Sequence, residues 1–174
     1  LGGAFISASA MSFKEEDKKL IQWYINECQK AGVQFVMNTK ITPELIDSLQ
    51  FDELIIATGA KARQLSNIKG LEKVKVINAK DALLHPEIVG EKVTIIGGGL
   101  TGIEMAYDMV LSGKQVDVVE IKDSILGMDV VCAANGQMLQ QIIKYYHIPV
   151  HLSASINHFE EGKVYYTQDN TQHV

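Results

Sequence analysis

The chain has 174 residues, of which 47% are hydrophobic and 21% are charged, and its formal net charge is −5. This composition is typical of a folded domain with a substantial core, and it argues against intrinsic disorder. Because the basic residues form no stripe and no apolar run approaches the about 18 residues of a membrane span, neither nucleic acid nor a membrane is an expected partner.

The first half of the chain alternates helical and extended patterns. Ser12 is placed to cap a helix that runs to about Lys30. Three acids follow in what would be its first turn, where the helix dipole favours negative charge. The residue pattern then predicts a strand over residues 33–40, a helix over 43–49, a buried strand over 51–57 and a short strand near 74–77. A small helix, AKDALL, stops before Pro86.

The N-terminal stretch LGGAFISASAMSF has no initiator Met and no positively charged segment, so we expect an internal start rather than a signal peptide. Two cysteines, Cys28 on an apolar helix face and Cys132 in a loop, are too few for a disulfide scaffold, and reduced cytoplasmic thiols are expected. His147 and His151 are four residues apart, but Pro149 prevents a helix from aligning them, so no metal site is predicted.

The second half reads as a regular alternation of strands and helices. Strands are predicted over residues 92–96, 115–120 and 149–154, with helices over 100–112 and 135–146 and a final strand pair joined by a Glu-Gly-Lys turn. Strands that alternate with helices imply a parallel sheet covered on both faces. The predicted fold class is therefore α/β, with a Rossmann-like βαβ unit.

The stretch IIGGGLTGIEMA, at residues 95–106, carries the strongest functional signal. Gly97, Gly99 and Gly102 match the three glycines of a dinucleotide fingerprint: the first permits the tight turn, the second lets the pyrophosphate approach the backbone, and the third lets the helix pack closely on the strand. The start of the following helix would present free N–H groups and a positive dipole end to the phosphates. The whole unit, residues 92–120, has the length of about 30 residues expected for such a motif.

Glu120 ends the next predicted strand and is placed to accept the hydroxyls of an adenosine ribose. A carboxylate there repels a 2′-phosphate, which favours NAD(H) over NADP(H), whereas Lys122 could pair with such a phosphate. Glu104 follows in the helix, where an acid near the N-terminus is stabilising in any case.

The segments ATGA, at residues 57–60, and VTIIGGGLTGIEMA, at 93–106, resemble the flavoproteins with two dinucleotide-binding domains, in which an NAD(P) domain is inserted into an FAD domain. The lead-in GVQFVMNTKITPELI with FDELIIATGAKAR is similar to the C-terminal half of NADH:flavin oxidoreductases of the 2,4-dienoyl-CoA reductase type, relatives of old yellow enzyme. The resemblance implies a partial FAD-binding domain over residues 1–88 and an NAD(P)-binding domain over 89–174. Ala62 stands where the family usually has Pro, which implies a looser loop.

The resemblance also implies residue roles. Glu104 would lie toward the nicotinamide and the flavin, Glu120 would bind the ribose, and Thr58 and Gly59 would lie near the FAD at the domain crossover. The residues expected to line the pyrophosphate are Gly97, Gly98, Gly99, Leu100, Thr101 and Gly102.

The resemblance therefore implies that the chain is part of a larger parent flavoprotein. In this parent, hydride would pass from NAD(P)H to FAD, and FMN and a 4Fe–4S cluster would lie in a region ahead of this chain. The parent would be an enoate or 2,4-dienoyl-CoA reductase, and this chain alone is expected to bind dinucleotide but not to turn over. Two other readings stay open: a pyridine nucleotide-disulfide reductase or NADH oxidase, and a non-catalytic module that binds ADP or a dinucleotide.

Overall fold

The computed structural model describes residues 1–63, 65–127 and 132–174. The helices in these ranges are α1 (Ala4–Ala8), α2 (Glu15–Lys30), α3 (Pro43–Ser48), α4 (Ala79–Leu84), α5 (Leu100–Leu111) and α6 (Ala133–Tyr145). The strands are β1 (Lys92–Ile96), β2 (Gln115–Val119), β3 (Val150–His151), β4 (Ser155–Glu160), β5 (Lys163–Gln168) and β6 (Thr171–His173). No helix in the described ranges is both long and apolar enough to cross a membrane.

A parallel sheet with the order β1-β2-β3 forms the centre of the molecule. Strand β1 pairs with β2 along its whole length, from Lys92 opposite Gln115 to Ile96 opposite Val119. The predicted strands over residues 92–96 and 115–120 are thus confirmed, and the predicted helices that follow them end within two residues of their expected positions. These elements were predictable because each one buries its own apolar face.

Both faces of this sheet are covered, as predicted, but by different kinds of element. On one face, Val116 and Val118 lie in a core cluster with Ile103 of α5 and Leu139 of α6. On the opposite face, Val119 packs with the antiparallel meander β4-β5-β6. The predicted Glu-Gly-Lys turn is present between β4 and β5, and β6 adds a third strand that the sequence pattern did not predict.

The chain that enters the dinucleotide unit is attached to this meander. Lys69 forms a parallel bridge with His158, and the Phe159 N–H donates to the Lys69 carbonyl at 2.8 Å. Gly70 adopts φ 81°, and a Cβ there would lie 1.9 Å from the Phe159 carbonyl oxygen. Only glycine therefore permits this close approach.

Three predicted strands, over residues 33–40, 51–57 and 74–77, are wrong. These residues form no strand in the described part of the chain, and Ile55, expected in a buried strand, is 88% exposed. The apolar pattern is real, but a strand also requires a hydrogen-bonded neighbour. A single-sequence pattern shows which face is apolar and does not show whether such a neighbour is present.

The predicted cap at Ser12 is also wrong. Helix α2 begins at Glu15, and its N-cap residue is Lys14, which makes no side-chain capping bond. Ser12 instead donates its backbone N–H and its hydroxyl to Oδ1 of Asp108, at 2.8 and 2.6 Å. A charged acceptor 96 residues away binds this serine more strongly than a local turn does, because a hydrogen bond to an ionised group is the stronger kind.

Candidate dinucleotide site

The glycine turn joins β1 to α5 at the carboxyl end of the parallel sheet. Gly97 adopts φ 109°, and its N–H donates to the Val119 carbonyl of the neighbouring strand at 2.9 Å. A Cβ on Gly102 would lie 2.0 Å from the Gly97 carbonyl oxygen, so α5 can approach β1 only because residue 102 is glycine. The tight turn and the close helix packing expected from the sequence are both present.

Gly99 has a different role in the same turn. It lies in an ordinary extended conformation, with φ −70°, and a Cβ built on it meets no atom within 4 Å. The space beside it is therefore open at the N-terminus of α5, where the first-turn N–H groups have no intrahelical partner. Leu100 and Thr101 are exposed at the same edge. This open, N–H-lined cradle fits a pyrophosphate.

Glu120 is fixed at the end of β2. The Gly98 N–H donates to its Oε2 at 2.6 Å, and the Lys122 N–H donates to its Oε1 at 2.7 Å. The residue is buried, so these two backbone donors satisfy a carboxylate that would otherwise be costly to bury. Each oxygen keeps a second lone pair, and the role of Glu120 at the ribose stays a prediction.

Glu104 forms an ion pair that the sequence did not suggest. Its Oε2 lies 2.7 Å from the Lys14 ammonium, and the two side chains are only 16% and 19% exposed. The Lys14 ammonium also lies 5.7 Å from the centre of the Phe13 ring. No local signal relates Lys14 to α5, because the two are distant in sequence.

Lys14 belongs to a short segment, Met11 to Lys14, that covers the outer side of α5. Met11 is buried in the core cluster that includes α5 residues, Ser12 binds Asp108, and the Phe13 and Tyr107 rings lie 5.0 Å apart. The region predicted as a partial FAD-binding domain is thus attached to the helix that opens the dinucleotide site.

Thr58 and Gly59 are not brought into this cradle. Both are exposed, and a Cβ on Gly59 would meet no atom within 4 Å. Within the described ranges these residues do not form an enclosed flavin site. Cys28 is half-buried on α2, and Cys132 is an exposed free thiol at the N-cap of α6. No group of three or more metal-ligating side chains occurs in the residues that the structure describes.

A parallel sheet, a glycine turn leading into a helix, and an acid at the end of the second strand together define a Rossmann-like dinucleotide-binding fold. The family model described as pyridine nucleotide-disulphide oxidoreductase matches residues 44–174. The chain therefore belongs to the pyridine nucleotide-disulphide oxidoreductase family.

Individual relatives agree with this assignment. The chain is 38% identical to the cinnamate reductase of Clostridium sporogenes over 158 residues, which are 90% of this chain and 23% of that protein. It is 34% identical to the NADH oxidase of Thermoanaerobacter brockii over 148 residues, which are 83% of this chain and 22% of that protein. The chain thus spans less than a quarter of the length of these relatives.

A solved structure supports the fold itself. A 2-naphthoyl-CoA reductase, in complex with 2-naphthoyl-CoA, superposes with a TM-score of 0.84 at 24% identity, covering 99% of this chain and 26% of that one. The arrangement of this chain is therefore one that occurs within a larger reductase.

Proposed function

We propose that the chain is the nicotinamide-dinucleotide-binding unit of a flavin-dependent oxidoreductase, and that it presents NADH for hydride transfer to FAD. The observation that carries the proposal is the open space at Gly99, beside the N-terminus of α5 and next to the fixed carboxylate of Glu120. The family of the chain and the relatives named as reductases and oxidases support it.

Different groups of the chain would bind different parts of the dinucleotide. The N–H groups of Gly99, Leu100 and Thr101 would bind the pyrophosphate, since the helix end carries a partial positive charge. Glu120 would accept ribose hydroxyls through its free lone pairs, and its charge would disfavour a 2′-phosphate. NAD(H) is therefore the proposed cofactor, with NADP(H) the poorer ligand.

The nicotinamide end would lie toward Glu104. The ion pair with Lys14 keeps this carboxylate in one orientation and offsets its charge. NADH supplies the hydride when it is bound, and the task of the chain is to hold the dinucleotide in a fixed geometry and to exclude water from it.

A longer flavoprotein would provide the rest of the machinery. Thr58 and Gly59 would contribute to FAD binding at the crossover between the domain of residues 1–88 and that of residues 89–174, together with other parts of the parent. FMN, a 4Fe–4S cluster and an enoate-type or 2,4-dienoyl-CoA-type substrate would belong to that parent, an assignment supported by the similarity to a cinnamate reductase. The alternative is an NADH oxidase or disulfide reductase, which the similarity to an NADH oxidase supports.

Calorimetric titration of the chain with NADH, NADPH, ADP-ribose and ADP tests the proposal. We expect NADH to bind at least about tenfold more tightly than NADPH and ADP, a difference of about 1.4 kcal/mol. Equal binding of ADP and NADH would instead support a non-catalytic nucleotide module. Failure of all four ligands to bind a folded chain would refute the proposal.

The parent's activity is tested on the full-length protein. Anaerobic mixing with NADH should bleach the flavin absorbance. The compound that then re-oxidises the flavin distinguishes an enoate-type reductase from an NADH oxidase or disulfide reductase. Faster re-oxidation by an enoate such as cinnamate supports the reductase, whereas re-oxidation by dioxygen or a disulfide alone supports the alternative.

A further inference from the structure

The loop that follows β2 folds back onto the glycine turn. In this return loop, residues 121–127, the Leu126 N–H donates to the Gly98 carbonyl at 2.8 Å. The Gly98 N–H is already bound to Glu120. Both the N–H and the carbonyl of Gly98 are therefore hydrogen-bonded to residues at or beyond the end of β2.

Leu126 is held in an unfavourable backbone conformation. Its φ of 74° lies in the left-handed region, which a bulky side chain rarely adopts, although the side chain itself is buried in the main core cluster. Such a conformation persists only where the surroundings determine it, and it is concentrated at functional sites. Here the buried side chain anchors the residue while its N–H reaches the glycine turn.

The return loop also packs directly on Gly98. A Cβ built on Gly98 would lie 3.1 Å from Cγ2 of Ile125 and 3.1 Å from Cβ of Glu120. On its outer side the loop is held by the Ser153 N–H, which donates to the Lys122 carbonyl at 2.7 Å. The loop is thus tied to the turn between β3 and β4 on one side and to the glycine turn on the other.

The hydrogen bond from Leu126 has a consequence for the neighbouring amide. In a trans peptide unit the C=O of one residue and the N–H of the next point in opposite directions. Because Leu126 holds the Gly98 carbonyl, the Gly99 N–H of the same peptide unit points away from that hydrogen bond. The space at the Cβ position of Gly99 is open.

We propose that Leu126 is a positioning residue for the dinucleotide. It fixes the peptide between Gly98 and Gly99 so that the Gly99 N–H is presented to the pyrophosphate before the ligand arrives. This inference rests on the proposed function, because it assigns a group that orients the same site. Pre-orientation raises the affinity for the dinucleotide, because no binding free energy is then needed to order the glycine turn.

Two substitutions at Leu126 and one control test the proposal. Leu126→Ala removes the anchor and keeps the unfavourable backbone, whereas Leu126→Gly keeps the N–H donor and frees the backbone. The control is Leu139→Ala, since Leu139 is an equally buried leucine of the same core cluster on α6. Binding of ADP-ribose and NADH is measured by calorimetry at a temperature at which circular dichroism shows each variant to be folded.

We expect both Leu126 variants to bind ADP-ribose and NADH about tenfold more weakly than the wild type, which corresponds to about 1.4 kcal/mol. Leu139→Ala should lower the melting temperature and leave both dissociation constants within about twofold, since a core truncation away from the turn changes stability alone. Wild-type affinity in folded Leu126 variants, or an equal loss in Leu139→Ala, would overturn the positioning role.

Gly98→Ala tests the same contact from the other side and leaves Leu126 in place. Its methyl group should press on both Ile125 and Glu120 and weaken ADP-ribose binding, and Ile125→Ala in the same chain should restore the part of the affinity that is lost through the return loop. Absence of any restoration would contradict a role of the return loop in orienting the turn. If the wild type binds neither ligand, the proposed function and this inference both fail; if it binds and the variants bind equally well, only the inference fails.

Discussion

The ammonium nitrogen of Lys14 lies 2.7 Å from Oε2 of Glu104, although 90 positions of sequence separate the two residues. The pair attaches the segment before α2 to the helix that opens the dinucleotide site. It is mostly shielded from water, in contrast to the ion pairs along α2, which are formed between neighbours on one helix.

Lys14→Met should lower the free energy of unfolding by about 1 kcal/mol, because it leaves the shielded carboxylate of Glu104 without its ionic partner. The matched control is Lys19→Met, whose ion pair with Glu16 joins side chains that are 72% and 83% exposed. The control should leave the free energy of unfolding nearly unchanged. Urea unfolding of both variants measures the difference, and equal stability would contradict a structural role for the Lys14 pair.

Gly99→Ala and Gly102→Ala should separate binding from folding. A methyl at residue 99 meets nothing in the protein but would occupy the space proposed for the pyrophosphate, so this variant should fold normally and lose NADH affinity by at least about tenfold. A methyl at residue 102 would lie 2.0 Å from the Gly97 carbonyl oxygen, so this variant should lose about 2 kcal/mol or more of stability. Thermal melting and calorimetric titration measure the two effects. Normal NADH binding by folded Gly99→Ala would argue against the proposed site.

Glu120→Gln should weaken NADH binding more than NADPH binding. The amide keeps the shape of the side chain, but its NH2 group must face one of the two N–H donors, from Gly98 or Lys122, that the carboxylate accepts. Loss of the negative charge also removes the repulsion of a 2′-phosphate. We expect the ratio of the two dissociation constants to change by about tenfold. An unchanged ratio would refute the role of Glu120 at the ribose.

Gly70→Ala should detach the incoming chain from the meander. The new methyl would lie 1.9 Å from the Phe159 carbonyl oxygen, and residue 70 has a positive φ as well, so a loss of about 2 to 3 kcal/mol is expected. Gly162→Ala is the matched control, because its φ is also positive but its methyl meets no atom within 4 Å. The control should cost about 1 kcal/mol. Similar losses in both variants, measured by urea unfolding, would show that the Phe159 contact is unimportant.

The stability of the fold should decrease at alkaline pH through Tyr166, which lies on the meander strand β5. Burial, together with the nearby Asp117 carboxylate, raises the pKa of Tyr166, whose hydroxyl lies 2.9 Å from Nδ1 of His151. Since the folded pKa lies above the unfolded value of about 10, this contribution to stability is complete below about pH 10 and is lost as the pH rises through the folded pKa.

Urea unfolding between about pH 8 and about pH 11.5 tests this expectation. The free energy of unfolding of the wild type should fall above about pH 10, and Tyr166→Phe should reduce that fall. Tyr145→Phe, at a side chain that is 77% exposed, serves as the control and should keep the wild-type profile. A Tyr166→Phe profile that coincides with the wild type would exclude this residue as the cause.

The dinucleotide unit was largely predictable from the sequence because its signals are local. The turn from β1 into α5 needs glycine at Gly97 and Gly102 for reasons of backbone conformation and close packing, and those requirements are visible in the residue spacing alone. Helix and strand limits near this turn followed from apolar periodicity.

Contacts between distant segments were not predictable in this way. Ser12 was expected to cap α2 and instead binds Asp108, and Lys14 had no predicted partner although it pairs with Glu104. A single sequence contains no information about which of many charged residues will meet across a fold. The strands expected over residues 33–40 and 51–57 failed for a related reason, because strand formation depends on a neighbour and not only on pattern.

The sequence by itself determined the class of fold, the place of the glycine turn and the acid that follows it, because a tight turn and a buried sheet constrain residue type locally. Only the tertiary structure decided how these parts are held: that Glu120 binds the Gly98 N–H, that Leu126 binds the Gly98 carbonyl, and that Lys14 pairs with Glu104. The physical reason is that hydrogen bonds and ion pairs between separate segments depend on the final packing of the chain. The backbone conformations that a residue type allows, and the apolar periodicity, are by contrast properties of each segment alone.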